Sequence, residues 1–485
     1  MRPLPTLVRP AFLLALLFAG NDGRASQYLA VEIDLHFISG DQYEVKLLLW
    51  RDCQGLPPGA TQTVQYNSPC GSGNLVLALV PSATANVSPL CATSMPGSTC
   101  TGGALPGIQR VEYAGLVNLA PCDAWTFQYA SCCLVPANNM NTTTVEMVTR
   151  TTLNNLDMPC RDTPRFMHPA LPWRSSNNPF TLDMAGLNDG PGTAHYALVP
   201  MQTSSGVNAP YLTPMFTGPN PYPGLTISTT TGVLTTPSSA SAGYWIIVPQ
   251  LRQMDGINVL ASVERVLVMP TSNLNNQPPL ATDGALTFLS GTGSVTGPRT
   301  IEVPAGGTIC ATLSIADPDL VDSVIISTDL ASMLPGATVS ILNGNPASLE
   351  FCWTAPPGSN GMHHFMATAS DERCPLDQDQ HFLYQVLVTP DITNPCFPTS
   401  TSDLASAAPG LLLVVVDPSG GALSWTMPEG RTASRITLYD MRGAALVERT
   451  SPPQGTGVLP LPPAMLHGVY VLVCDDLRTR VVIAR

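Results

Sequence analysis

Proline and glycine set the ceiling on what this chain can fold into. Of 485 residues, 48 are Pro and 39 are Gly. Each Pro removes a backbone donor, and each Gly costs conformational entropy in a helix interior. Long uninterrupted helices have no room, so helical bundles and coiled coils are excluded. What lies between the breaks is short and alternating. Val31, Ile33, Leu35 and Phe37 alternate with Glu32, Asp34 and His36; after a Gly40-Asp41 turn, Tyr43, Val45 and Leu47 alternate with Glu44 and Lys46. A period of two sends one set to a buried face and the other to the opposite face, which predicts a β-hairpin with one buried face. Similar runs recur at 145–149, 261–269, 301–303, 324–327, 382–388, 436–439 and 470–473, each bounded by Gly, Pro, Asn or Asp. The expected fold class is all-β: antiparallel β-sandwiches, Ig-like or cadherin-like, strung in series.

Charge is scarce. Lys and Arg number 21 against 34 Asp and Glu, together 11% of residues, for a formal net charge of −13. Lys46 is the single lysine and the arginines are scattered. A nucleic-acid surface needs a basic stripe, so that function class is excluded. The GxSxG, HExxH and Walker patterns are missing, and no pair of carboxylates is singled out by spacing; the chain is therefore not read as an enzyme.

Residues 1–25 read as a signal peptide: Arg2 and Arg9, an apolar run over 11–19, then the small-x-small site Gly23-Arg24-Ala25. The run is too short to span a bilayer, and no later run reaches 18 apolar residues. The mature chain is expected to carry no transmembrane span. Export agrees with the 13 cysteines, no two of which are spaced as CxxC, so disulfides are expected rather than zinc. Eight of them (Cys53, Cys70, Cys91, Cys100, Cys122, Cys132, Cys133, Cys160) crowd the first 160 residues. Cys310, Cys352, Cys374 and Cys396 form a second group, and Cys474 stands apart. Eight cysteines permit 105 pairings, so most of the connectivity stays open. One parity is readable. Cys310 and Cys352 each interrupt an alternating apolar set and leave the core face together, which makes them the expected bridge.

Composition shifts place linkers around 162–178, 271–279 and 394–408. The expected organisation is a signal peptide (1–25), a Cys-rich N-terminal β domain (26–165), a second β-sandwich module (166–275), a cadherin-like or Ig-like module (276–390), a linker (391–408) and a C-terminal domain (409–485). One cluster carries chemistry. Asp317, Asp319 and Asp322, with Asp371 and Glu372 from a later strand end, offer hard oxygens to calcium, the one cofactor expected here. His363 and His364 are adjacent on a strand and point to opposite faces, so they are read as packed rather than metal-binding. Trp50, Trp173, Trp245 and Trp353 are read chiefly as core, since most lie in or beside strand patterns.

The last 75 or so residues resemble the type A C-terminal sorting domain of the type IX secretion system found in Bacteroidetes. The residues that carry the resemblance are Leu438, Tyr439, Asp440 and Gly443, then Gly468 and Tyr470, then a terminal strand with Arg478 and Arg480 where lysine is common. Residues 43–55, a strand pattern that closes with Trp50-Arg51-Asp52-Cys53 and a turn at Gln54-Gly55, are similar to the opening domain of large adhesin-like proteins of the same bacteria. Segments 232–248 and 255–265 are similar to their second module, and 276–390 to their cadherin-like or Ig-like repeats. The resemblance implies a secreted or cell-surface protein, adhesive or structural. Its partners would be the type IX secretion machinery and an extracellular ligand, glycan or protein. The alternative is a secreted hydrolase or carbohydrate-binding accessory protein, which a pocket with convergent carboxylates in 170–270 would favour. A filament or matrix subunit would need an open strand edge.

Overall fold

The structure is a computed structural model. It describes residues 28–389 except 133, 142–145, 168–172, 177, 185, 189, 191, 237–240, 275 and 372, and beyond them 413–416, 422–427, 432–440, 445–462, 468–474 and 477–483. The expected signal peptide, the 391–408 linker, Glu372 and Gly443 lie outside the described residues. Among the described residues the architecture is strands joined by turns, with one four-residue α-helix at Leu330–Met333. No helix there is long and apolar enough to cross a membrane.

The first hairpin pairs Tyr28–Ser39 with Gln42–Asp52, in the register Val31↔Leu49, Ile33↔Leu47 and Leu35↔Val45. Those six apolar side chains are completely buried. The polar set is not all outside, however. Glu32 is 1% exposed and Asp34 5%, so the first strand is buried on both faces, unlike the one-sided hairpin expected. The cause lies far along the chain. Arg265 Nε donates to Glu32 Oε2 at 2.6 Å, Arg265 Nη2 donates to the Phe166 carbonyl at 3.2 Å, and the guanidinium lies over the rings of Trp50 and Phe166.

Tyr28–Ser39 also pairs with Val266–Ser272 (Ala30↔Leu267, Val31↔Val266), and Asn258–Glu264 pairs with Met147–Leu153 (Ala261↔Leu153). Strands from both sides of residue 165 therefore belong to one 14-stranded sheet. The stretches 26–165 and 166–275 are interleaved by backbone ladders. The sheet folds back on itself, so that Thr151 Oγ1 donates to the Ile33 carbonyl at 2.6 Å, and Trp50, Tyr113, Phe127 and Val268 fill the enclosed core.

Residues 276–389 form a separate Ig-like sandwich. One sheet orders Thr287–Gly291, Thr308–Ile315, Ala347–Thr354 and Thr338–Leu342; the other orders Ser294–Gly297, Thr300–Pro304, Gln380–Thr389, Gly361–Ser370 and Ile325–Thr328. Ile309, Leu313, Phe351, Trp353, Phe365 and Tyr384 interdigitate between them. Cys310 and Cys352 stand opposite each other in the ladder, half-buried, and are joined. His363 packs edge-on against Trp353, with ring centroids 5.8 Å apart.

Three further bridges are Cys53 to Cys100, Cys70 to Cys122, and Cys91 to Cys374; Cys132 and Cys160 are also disulfide-bonded. The third bridge crosses between the two cysteine groups and ties the large sheet to the Ig-like sandwich. In the C-terminal region, Ala433–Asp440 pairs with both Ala445–Gln454 and Gly468–Cys474, and Leu477–Ile483 extends that sheet. A second, three-stranded sheet supplies Leu423, Trp425 and Leu459 to a small core with Ile436, Leu438, Tyr470 and Leu472.

Candidate metal centre

The strand Thr308–Ile315 is followed by Asp317-Pro318-Asp319, and the proline, lacking an N–H, cannot continue a ladder. The chain turns instead, and its own polar groups fold the turn. Asp319 N donates to Asp317 Oδ1 at 2.7 Å, Asp322 N donates to the Asp319 carbonyl at 2.8 Å, and Asp317 N donates to Asn345 Oδ1 at 3.0 Å. One carboxylate oxygen from each of Asp317, Asp319 and Asp322 then falls within 4.8 Å of the others.

Two more segments converge on this loop. Asp371, past the end of the strand Gly361–Ser370, accepts from Arg373 N at 3.0 Å and Gln378 N at 3.3 Å through Oδ1. Its Oδ2 accepts from Asn276 Nδ2 at 2.6 Å. The connection following Val266–Ser272 supplies Asn276 and Gln277: Gln277 N donates to Asp319 Oδ2 at 2.9 Å, and Gln378 Nε2 donates to the Asn276 carbonyl at 3.1 Å. The four aspartates expected from the sequence are thus brought to one junction. Asn276, Gln378 and Arg373 also belong to it, and their residue types gave no sign of this.

Burial makes the junction costly. Asp317 is 3% exposed, Asp371 6%, Asn276 5% and Gln378 is fully buried. Burial, with the charges of Asp371, Asp319 and Asp322 added, pushes the Asp317 carboxyl up to about 7 despite the Asp319 N–H that opposes it. Burial chiefly, with Asp377 adding to it, pushes Asp371 up to about 7 as well. Among the described residues, Asp317 Oδ2, Asn276 Oδ1 and Gln378 Oε1 are buried acceptors with no donor, and a buried unsatisfied acceptor costs roughly 1–3 kcal/mol. The three carboxylate oxygens of Asp317, Asp319 and Asp322 are hard donors of the kind that calcium takes. Part of the charge is already answered from within. Arg373 Nη1 lies 3.1 and 2.9 Å from the two oxygens of Asp322. Arg174, 1% exposed, donates to the Asp379 carbonyl at 3.2 Å, and burial lowers its guanidinium to about 10 against the pull of Asp379, Asp371 and Asp377.

The residues on which the sequence resemblance of the C-terminal region rests lie elsewhere. Leu438 and Tyr470 are buried in the C-terminal core and Tyr439 is half-buried. Leu438 pairs with Leu472 and Asp440 with Tyr470, the latter just inside the strand that begins at Gly468.

No protein-family model and no curated protein matches the chain. Similar solved structures include an endo-fucoidan hydrolase from glycoside hydrolase family 107, 14% identical over 66% of this chain and 43% of that one, with a TM-score of 0.16. The surface-layer protein SbsC is 9% identical over 93% of this chain and 66% of that one, with a TM-score of 0.13. An ICAM-5 ectodomain fragment is 12% identical over 94% and 98%, with a TM-score of 0.15. The chain spans less than half the length of the hydrolase. At these scores none of the three lends its activity or its partners to this chain.

Proposed function

We propose that this is a secreted or cell-surface protein with an adhesive or structural role, delivered by the type IX secretion system through residues 409–485 and stiffened by calcium at the junction of its two large units. The observation that carries this reading is the Cys91 to Cys374 bridge, which joins positions 283 residues apart. It fixes the large sheet and the Ig-like sandwich against each other, and disulfides persist in oxidising surroundings outside the cytosol. The export route is supported by the order of the Leu438-Tyr439-Asp440, Gly468 and Tyr470 motifs at the end of the chain.

Export is tested by expressing the full chain and a version ending at residue 408 in a host with a working type IX system, then following both in periplasm, surface and medium. Only the full chain is expected to leave the periplasm. Equal escape of both, or retention of both, removes the sorting role.

Calcium is tested by thermal and denaturant unfolding with and without the ion. At a free concentration one hundred times Kd, stabilisation of about 2.7 kcal/mol is expected. Asp317→Asn should abolish that gain, because it removes charge from the most deeply buried carboxylate of the loop. An unchanged midpoint in wild type at millimolar calcium assigns the cluster to Arg373 and Arg174 alone.

A further inference from the structure

A cleft of about 590 Å³ lies between a small three-stranded sheet (Phe180–Asp183, Val233–Thr236 and Thr226–Ile227), together with Ala194 and Tyr196 of the large sheet, and the Ig-like sandwich. That volume is within the range of small-molecule sites. Its floor is an ion pair: Asp183, 1% exposed, is held by the guanidinium of Arg299. Arg299 Nη2 also donates to the Ala281 carbonyl at 2.8 Å, and the guanidinium lies 4.9 Å from the centroid of the Phe382 ring. A guanidinium fixed on three sides and already neutralised is poorly placed to take a phosphate or sulfate. Asp283, beside Arg299 in the lining, adds a carboxylate whose Oδ2 accepts from Ala316 N at 2.9 Å. It further disfavours anions.

The rim has a different chemistry. Thr226, Thr230, Thr231, Thr235 and Thr282 line it and are exposed, and every hydroxyl can both donate and accept. Between rim and floor lie apolar patches from Ile227, Val233 and Leu383. Two-way hydrogen-bonding groups alternating with small apolar surfaces, over a charge-balanced floor, match a ring that carries hydroxyls on its edge and C–H groups on its faces. We propose that this cleft binds a short neutral glycan. Its walls come from both units, so a bound glycan bridges them. This inference names a ligand class for the adhesive reading and rests on that reading only for its setting; binding in solution is independent of export.

The test uses the full mature chain, titrated calorimetrically and by saturation-transfer NMR with neutral glucan, mannan, galactan and xylan fragments, and with sulfated and uronic oligosaccharides as anionic counterparts. At least one neutral class is expected to bind. Thr235→Trp fills the cleft from an exposed strand position and should weaken binding by about tenfold or more. Thr231→Trp obstructs it from the adjoining turn, so a folding defect in one variant does not decide the result. Absence of neutral glycan binding, binding that survives both tryptophans, or preference for the anionic fragments each overturns the proposal. None of these outcomes bears on the export experiment, whose readout is location alone.

Discussion

Replacing Cys91 and Cys374 together by serine is expected to split unfolding into two calorimetric transitions and to lower the stability of the Ig-like sandwich by about 3–5 kcal/mol. The bridge closes a loop of 283 residues, for which chain entropy alone gives roughly 5–6 kcal/mol, and measured bridges deliver less than that figure. Local help is limited. Cys91 N donates to the Pro375 carbonyl and Asp377 N to the Pro89 carbonyl, both at 3.2 Å, and each such bond is worth about 1 kcal/mol net. Once the covalent tie is gone, these bonds, the Arg174 contact to Asp379 and the bonds that Asp371, Gln378 and Arg373 make with Asn276 and Asp322 must hold the 371–379 loop in place. That loop also carries Asp371, Arg373 and Gln378, so calcium stabilisation should shrink in the same variant. A single transition at the wild-type midpoint would assign the junction to non-covalent packing.

How far these features were legible follows from how far apart their causes lie. The alternation of Val31 to Phe37 is local, and so was the strand it specifies. The parity of Cys310 and Cys352 was readable for the same reason: each cysteine is out of phase with apolar neighbours one residue away. Asp317, Asp319 and Asp322 meet because a proline, one backbone-to-carboxylate bond and one backbone-to-backbone bond fold six consecutive residues. The burial of Glu32 was not legible, since its partner Arg265 lies 233 residues away. The same distance hid the shared sheet across residue 165, because a ladder between 28–39 and 266–272 leaves no periodicity in either strand. Cysteine grouping suggested bridges within groups, and Cys91 with Cys374 shows the limit of that inference. The amide oxygens of Asn276 and Gln378 belong to residue types common in any loop, so only the fold singles them out. Trp50, Trp245 and Trp353 are each 2% exposed, in agreement with their strand settings.

The seam between the two halves of the large sheet makes Arg265→Met the most damaging single substitution expected in this chain. Glu32 and Arg265 are each 1% exposed, and taking one partner from a buried ion pair costs about 3–5 kcal/mol because the other charge is left unanswered. Here the orphan would sit beside Asp34, whose carboxyl is held well above the ordinary range by burial first and by Glu32 second. A raised carboxylate value means that the folded state keeps the proton longer than the unfolded state. Its stabilising share is therefore complete at acid pH and is lost as pH climbs through the shifted value. Methionine retains apolar contact with Trp50 and Phe166, so the loss reads out the charge rather than a cavity. Denaturant midpoints of Arg265→Met, Glu32→Gln and the double variant then form a cycle. The double variant should recover most of the loss, since neither side is left charged and alone. A single-variant cost below about 1 kcal/mol would mean that water reaches Glu32, as it does in surface pairs. Because Arg265 sits between the strands Asn258–Glu264 and Val266–Ser272, the damage should appear first as faster amide exchange along the Ala30↔Leu267 pairing, ahead of any change in the Ig-like sandwich.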